Sequence, residues 1–216
     1  MPAKGVSDVV GQLHVITDAA PGRDPLAAIE AALEGGADTI QVRAKGWTDR
    51  DLYHLAATVA SRCLAFGAAC VIDDRVDIAI AVGAAGVHVG DADLPVEAVR
   101  RVAGTSLLVG ATARDPEAAR SAVAAGASYL GVGPCFETTT KQGLPPAIGL
   151  EGIADVAVAV EVPVVAIGGI EAKDVPALIA AGAHGVAVVG AVSRTADPKT
   201  AAAELAGALR LARQRR

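Results

Sequence analysis

Residues suited to gripping phosphate recur in this chain just beyond short apolar runs. The densest example is Gly131-Val-Gly-Pro-Cys-Phe-Glu-Thr-Thr-Thr-Lys141. An apolar run from Tyr129 to Val132 ends there in Gly-Pro and gives way to Thr138, Thr139, Thr140 and Lys141. Hydroxyl and backbone N–H donors hold anion oxygens while a lysine balances their charge, so this stretch points to an anionic ligand. Gln41, Arg43 and Lys45 follow another apolar run at alternate positions, which on a strand turns all three the same way. Such an inward row is costly unless it faces water or an anion. Two further runs end in carboxylates, Asp73-Asp74-Arg75 and His88 with Asp91 and Asp93. Four aspartates on neighbouring strands can hold a hard divalent cation through oxygen ligands. Set beside Arg43, Lys45 and Lys141, they suggest a magnesium–pyrophosphate substrate.

These residues need a scaffold that brings strand ends together. A short phrase recurs four times, beginning at Gly36, Gly83, Gly126 and Gly182, and each copy reads as a helix C-cap glycine leading into a strand. One more apolar run precedes each phrase: Leu13-His-Val-Ile16, Ala69-Cys-Val-Ile72, Leu107-Leu-Val109 and Val164-Val-Ala-Ile167. That makes eight strands. The segments between carry helical periodicity. Helices are expected over Leu26 to Leu33 after Asp24-Pro25, and over Leu52 to Leu64 capped by Thr48. Others run from Asp115-Pro116 to Ala125, Leu150 to Val160, Ala172 to Ala181, and Asp197-Pro198 through Leu211. Apolar strands alternating with amphipathic helices give parallel strands with crossover helices. Eight such units predict an α/β fold, a single (β/α)8 barrel domain over residues 1–216 with a flexible lead over residues 1–11. No Gly-x-Gly-x-x-Gly follows the first strand, which argues against a dinucleotide fold.

Composition agrees. A chain of 216 residues accommodates one such barrel, and at 52% hydrophobic with 2% aromatic it fills its core with small aliphatic side chains. A net charge of −5 without an internal basic tract argues against nucleic acid and acidic membranes as partners. The three cysteines, Cys63, Cys70 and Cys135, lack metal-ligand spacing and suit inert core thiols in a reducing cytoplasm. No signal pattern or membrane-length apolar run is present, so a cytoplasmic location is expected. Alanine-rich outer helices allow a homodimer.

In a barrel of this kind the chemistry sits at the carboxyl ends of the strands. That rim collects Thr17-Asp18, the Gln41 row, the aspartates, Thr112 and Arg114, the threonine loop, Gly168-Gly169 and Gly190. The glycines after strands 7 and 8 occupy the usual phosphate position, where bare amides approach a phosphate closely. The rim thus reads as a pyrophosphate site at strands 2 to 4 and a monophosphate site at strands 6 to 8. His88, His14 and His184 are expected to be hydrogen-bonded core or rim histidines rather than ligands, and His54 to lie on a helix surface.

Over essentially its whole length the chain resembles the thiamine phosphate synthase family. The matching motifs are Ile40-Gln-Val-Arg-Ala-Lys45, Asp74-Arg-Val-Asp-Ile-Ala79, Val87-His-Val-Gly90 with Asp93-Leu-Pro95, Gly131-Val-Gly-Pro134 with Thr138-Thr-Thr-Lys141, Ala166-Ile-Gly-Gly-Ile170 and Gly185-Val-Ala-Val-Val189. The resemblance implies a transferase that joins 4-amino-5-hydroxymethyl-2-methylpyrimidine pyrophosphate to a thiazole phosphate, releasing pyrophosphate. It implies that Gln41, Arg43, Lys45, Asp73, Thr112 and Lys141 hold the pyrimidine pyrophosphate. Of these, Arg43, Lys45, Thr112 and Lys141 would be catalytic. It assigns Mg2+ to Asp74 and Asp93, and the thiazole phosphate to Thr138, Thr139, Thr140, Gly168, Gly169, Val189 and Gly190. No protein nucleophile is required, in keeping with the lack of a Ser-His-Asp or Cys-His arrangement.

Three positions depart from the family pattern. Asp73 stands where Asn is usual, Gly110-Ala-Thr-Ala-Arg114 replaces Gly-x-Ser-x-His, and Gly190 replaces a serine. Asp73 and Arg114 are expected to offset each other's charge. The related thiazole tautomerase shares the barrel but uses the histidine that is here Arg114 and does not keep the metal aspartates. A barrel that binds thiamine intermediates without turning them over is the other alternative.

Overall fold

Four- to six-residue apolar runs alternating with helices close, in the computed structural model, into a barrel of eight parallel strands. The structure describes residues 10–17, 19, 24–138, 140 and 143–214. The strands are β1 (Leu13–Ile16), β2 (Thr39–Val42), β3 (Ala69–Asp73), β4 (Gly86–Val89), β5 (Leu108–Ala113), β6 (Tyr129–Val132), β7 (Val164–Ile167) and β8 (Gly185–Val188). Each pairs with its sequence neighbours, and β1 pairs with β8 to close the ring. This is the single (β/α)8 barrel expected from the sequence.

Helices cover the outside: α1 (Leu26–Glu34), α2 (Asp49–Phe66), α3 (Val76–Ala81), α4 (Val96–Ala103), α5 (Pro116–Ala124), α6 (Gly149–Ala159), α7 (Val175–Ala180), α8 (Gly190–Ser193) and α9 (Pro198–Gln214). Three of the expected caps hold, while at α1 Pro25 itself takes the cap position and Asp24 Oδ1 accepts from Leu26 N at 2.9 Å. Thr48 Oγ1 accepts from Asp51 N at 3.2 Å, Asp115 Oδ1 accepts from Glu117 N and Ala118 N, and Asp197 Oδ1 accepts from Thr200 N at 3.0 Å. Three helices were not foreseen. The short helices α3 and α8, six and four residues long, carry too few turns to show a period. The third, α4, does bury Val96, Val99 and Ala103, a spacing that the sequence displays after Pro95. The helix expected over Ala172 to Ala181 is a 3₁₀ turn, Ala172–Asp174, running into α7.

Two apolar layers result. Outward strand residues such as Ile40, Ile72, Val87 and Leu130 are fully buried under the helices. Inside the barrel lies a smaller cluster of Val10, Ile16, Tyr129, Val165 and Ala187. Val10, part of the expected flexible lead, is 3% exposed, and its carbonyl lies 2.9 Å from His184 Nε2. Gly11 is described as well, and residues 1–9 of that lead lie outside the described residues. His14, Tyr129 and His88 also project inward, with ring centroids 5.7 Å (His14–Tyr129) and 5.6 Å (His88–Tyr129) apart. Inward glycines make room for them: a Cβ at Gly110 would overlap the Tyr129 ring, and one at Gly131 would come 2.9 Å from His88 Cε1. Among the described residues no helix is long and apolar enough to cross a membrane.

Candidate active site at the carboxyl end of the barrel

The regular part of β2 stops at Val42, yet the alternation it starts continues through Lys45. Gln41 Nε2 donates to Asp73 Oδ1 at 3.1 Å, and Arg43 Nε and Lys45 Nζ each lie 3.5 Å from Asp73 Oδ2. The predicted row therefore does face one way, and Asp73 at the end of β3 is where it converges. Thr17, just past β1, holds this extension in place. Its hydroxyl accepts from Arg43 N and donates to Arg43 O, both at 2.8 Å, while Thr17 N donates to Gln41 O at 2.9 Å. Thr17 stands at the rim, and its tie to Arg43 is a tertiary contact no local pattern announces.

Consecutive strand residues face opposite sides, so Asp73 and Asp74 would diverge on a continuing strand. Asp74 instead has φ +56°, the left-handed region that few residues other than glycine enter and that asparagine and aspartate tolerate better than most. Its N–H donates to His88 O at 2.8 Å, and its carboxylate swings back to pair with Lys45. Asp93 Oδ1 also lies 3.5 Å from Lys45 Nζ, while its Oδ2 accepts from Gly90 N at 2.9 Å. Three carboxylates thus surround one ammonium. Burial pushes Asp73 up to about 6, with Lys45 and Arg43 opposing and Asp74 and Asp93 adding to the rise. Burial pulls Lys45 down, but the bond to Asp74 and the charges of Asp73, Asp74 and Asp93 outweigh it and hold the lysine above its ordinary value.

Among the described residues no three acidic, histidine or cysteine side chains are gathered as a metal site. The donor type at the rim is that of a hard-cation ligand: Asp73, Asp74 and Asp93 each turn a carboxylate oxygen to the Lys45 ammonium. Asp91 does not join them: it is exposed and its carboxylate makes no contact with Lys45. The four-aspartate cluster expected from the sequence is therefore three. Arg75 faces away, donating to Asp77 and Asp49 on the helical side, which leaves only the two aspartates of that triplet at the rim.

Thr112 sits within β5, which runs to Ala113, four residues beyond the Val109 end of the apolar run. Its Oγ1 lies 3.2 Å from His88 Nε2. Arg114 does not offset Asp73 as expected. Its guanidinium donates to Gly133 O at 3.2 Å and Pro146 O at 2.7 Å, bracing the loop after β6, while Asp73 is met by Gln41, Arg43 and Lys45. Thr138 Oγ1 donates to Thr140 Oγ1 at 3.2 Å and accepts from Thr140 N at 3.3 Å. Thr139, Lys141 and Asp18 lie outside the described residues.

Gly168 and Gly169 have φ +101° and +68°, and a Cβ on the second would come 2.9 Å from Phe136 Cβ. Phe136 N donates to Gly168 O at 3.0 Å, so the β6 loop packs directly on the turn after β7. At Gly190 a Cβ would sit 3.5 Å from Thr140 Oγ1, an ordinary contact, so β8 and the threonine loop meet at this glycine. The histidines fall as expected: His14 Nε2 lies 3.0 Å from Gly11 O, His184 bonds Val10, and His54 is exposed on α2.

Residues 13–192 match the family described as Thiamine monophosphate synthase. The thiamine-phosphate synthase of Salinispora tropica is 55% identical over 203 residues, covering 93% of this chain and 98% of that protein. That of Salinispora arenicola is 54% identical with the same coverage. Among solved structures, thiamine phosphate pyrophosphorylase from Pyrococcus furiosus superposes with a TM-score of 0.86 at 36% identity, covering 93% of this chain and 96% of that one.

Proposed function

Because the chain belongs to the thiamine monophosphate synthase family, we propose that its barrel joins 4-amino-5-hydroxymethyl-2-methylpyrimidine pyrophosphate to a thiazole phosphate, giving thiamine phosphate and pyrophosphate. The observation that carries the assignment of roles is the convergence of Gln41, Arg43 and Lys45 on Asp73, beside Asp74 and Asp93, at one end of the barrel.

Arg43, Lys45 and Lys141 neutralise the pyrophosphate as its C–O bond breaks, which lowers the energy of the departing charge. Asp74 and Asp93 would hold Mg2+, with Asp73 beside them. Bound there, the ion supplies charge neutralisation at phosphate oxygens. Carboxylate oxygens beside phosphate-binding cations are the ligand type that a divalent cation bridging protein and phosphate would use. Departure of pyrophosphate leaves a methylene cation on the pyrimidine, and the thiazole nitrogen supplies the electron pair for the new C–N bond. The chain's task is to align the two substrates and exclude water. Gln41 and Thr112 orient the pyrimidine. Thr138, Thr139, Thr140, Gly168, Gly169 and the amides of Val189 and Gly190 hold the thiazole phosphate. Three free, buried cysteines suit a reducing cytoplasm.

Purified protein mixed with both substrates and magnesium is expected to yield thiamine phosphate, and to lose that activity with EDTA and in Arg43→Ala and Lys141→Ala. Both substrates bound with no product formed would overturn the reading in favour of a binding protein. Product formed unchanged in EDTA would remove the metal from the scheme.

A further inference from the structure

We propose that His88 is a positioning residue that sets the hydrogen-bond polarity of Thr112: Tyr129 O–H donates to His88 Nδ1, His88 Nε2–H donates to Thr112 Oγ1, and the Thr112 hydroxyl hydrogen is left for the ligand. Thr112 then reads an acceptor, such as a ring nitrogen of the pyrimidine, and not the exocyclic amino group. This rests on the placement of the pyrimidine at Thr112 proposed above.

The direction follows from counting donors. His88 Nδ1 lies 3.3 Å from Tyr129 Oη and Nε2 lies 3.2 Å from Thr112 Oγ1. A neutral imidazole has one N–H, so one ring nitrogen donates and the other accepts. Tyr129 is 2% exposed, and His88 is the one hydrogen-bond partner of its hydroxyl among the described residues. If Nδ1 carried the hydrogen, the Tyr129 oxygen would accept and its own hydrogen would be buried without an acceptor, which is costly. With Nδ1 bare, every polar atom in the chain is used: Tyr129 donates, Nδ1 accepts, Nε2–H donates, and Thr112 Oγ1 accepts.

Both rings stay neutral in this setting. Burial holds His88 down at about 4 and pushes Tyr129 above its ordinary value. The ring packs closely against the neighbouring strands. Gly110 and Gly131 flank it, and a Cβ at either would press on it, at 2.5 Å from Nδ1 and 2.9 Å from Cε1. Register fixes the partners, since His88 sits opposite Gly110 and Thr112 opposite Gly131. The strand glycines thus make room for the imidazole between a buried phenol below and the rim hydroxyl above.

The test is ¹⁵N NMR of histidine-labelled protein without substrate, which distinguishes the two tautomers; only four histidines need assignment. The expected spectrum has His88 protonated at Nε2 and bare at Nδ1. The opposite tautomer overturns the proposal, whatever the activity of the enzyme. Kinetics supply the second arm. His88→Gln places an N–H donor near Thr112 and is expected to stay within about threefold of wild type in KM for the pyrimidine pyrophosphate. His88→Met, which cannot donate, should raise that KM about tenfold, the scale of one lost hydrogen bond, with KM for the thiazole phosphate unchanged. Thr112→Ala added to His88→Met should cost little more. Equal changes in both KM values would indicate a merely structural histidine. Absence of product from wild type would instead strike at the synthase reading and leave the tautomer result standing.

Discussion

The backbone N–H of Asp74 donates to the carbonyl of His88 at 2.8 Å, one residue past the last β3–β4 pair, Asp73 opposite His88. That bond holds Asp74 at φ +56° and turns its carboxylate to the same Lys45 ammonium that Asp73 meets. Asp74 therefore has two separable duties, a backbone conformation and a charge.

Asp74→Asn keeps a side chain that tolerates the left-handed region and removes the charge. It is expected to fold with wild-type stability and to lose at least tenfold in magnesium affinity by calorimetric titration. Asp74→Val adds β-branched strain and should also lower stability by roughly 1–3 kcal/mol in urea denaturation. Equal stability of the two variants would show that the turn carries no strain.

In the proposed scheme a divalent cation would compete with Lys45 for the carboxylates that now meet the ammonium. Removing the ammonium in Lys45→Ala is expected to tighten magnesium binding to the substrate-free protein while raising KM for the pyrimidine pyrophosphate. Weaker magnesium binding in this variant would mean that Lys45 organises the carboxylates and does not rival the metal.

Thr17→Val removes a hydroxyl bonded to both the N–H and the carbonyl of Arg43 without changing the side-chain shape greatly. A loss of about 1–3 kcal/mol in stability is expected, from unpaired backbone groups. KM for the pyrimidine pyrophosphate should rise because Arg43 loses its anchor. Unchanged KM would confine Thr17 to the fold.

His14 is 3% exposed, and burial, opposed by its bond to Gly11 and reinforced by His88 and His184, pushes it down to about 4. The unfolded chain binds the proton more readily between pH 6.5 and 4, so stability falls as pH drops through that window. Between pH 6.5 and 5 the contribution is about 1.5 kcal/mol by linkage. His14→Gln cannot titrate, and its denaturation midpoint should fall less over the same range. A pH dependence identical to wild type would place the acid sensitivity elsewhere.

The chain alone determined the repeat, the eight strands and the strand ends at which the polar residues gather, because a parallel barrel writes its architecture as local periodicity and as glycines at fixed offsets. It also identified Gln41, Arg43, Lys45, Asp74, Asp93 and Thr112 as rim residues, since their order follows the strands. Tertiary structure decided the rest. Only it showed that Asp73 is the meeting point of the β2 row, that Asp91 stands apart, and that Arg114 braces a loop through two carbonyls. It likewise set Asp74 in a left-handed turn and linked Tyr129, His88 and Thr112 through the barrel interior. The physical reason is that a strand's period fixes which face a residue takes, whereas the partner across the barrel depends on register and closure. Those arise from packing between segments far apart in sequence and leave no trace in any one of them.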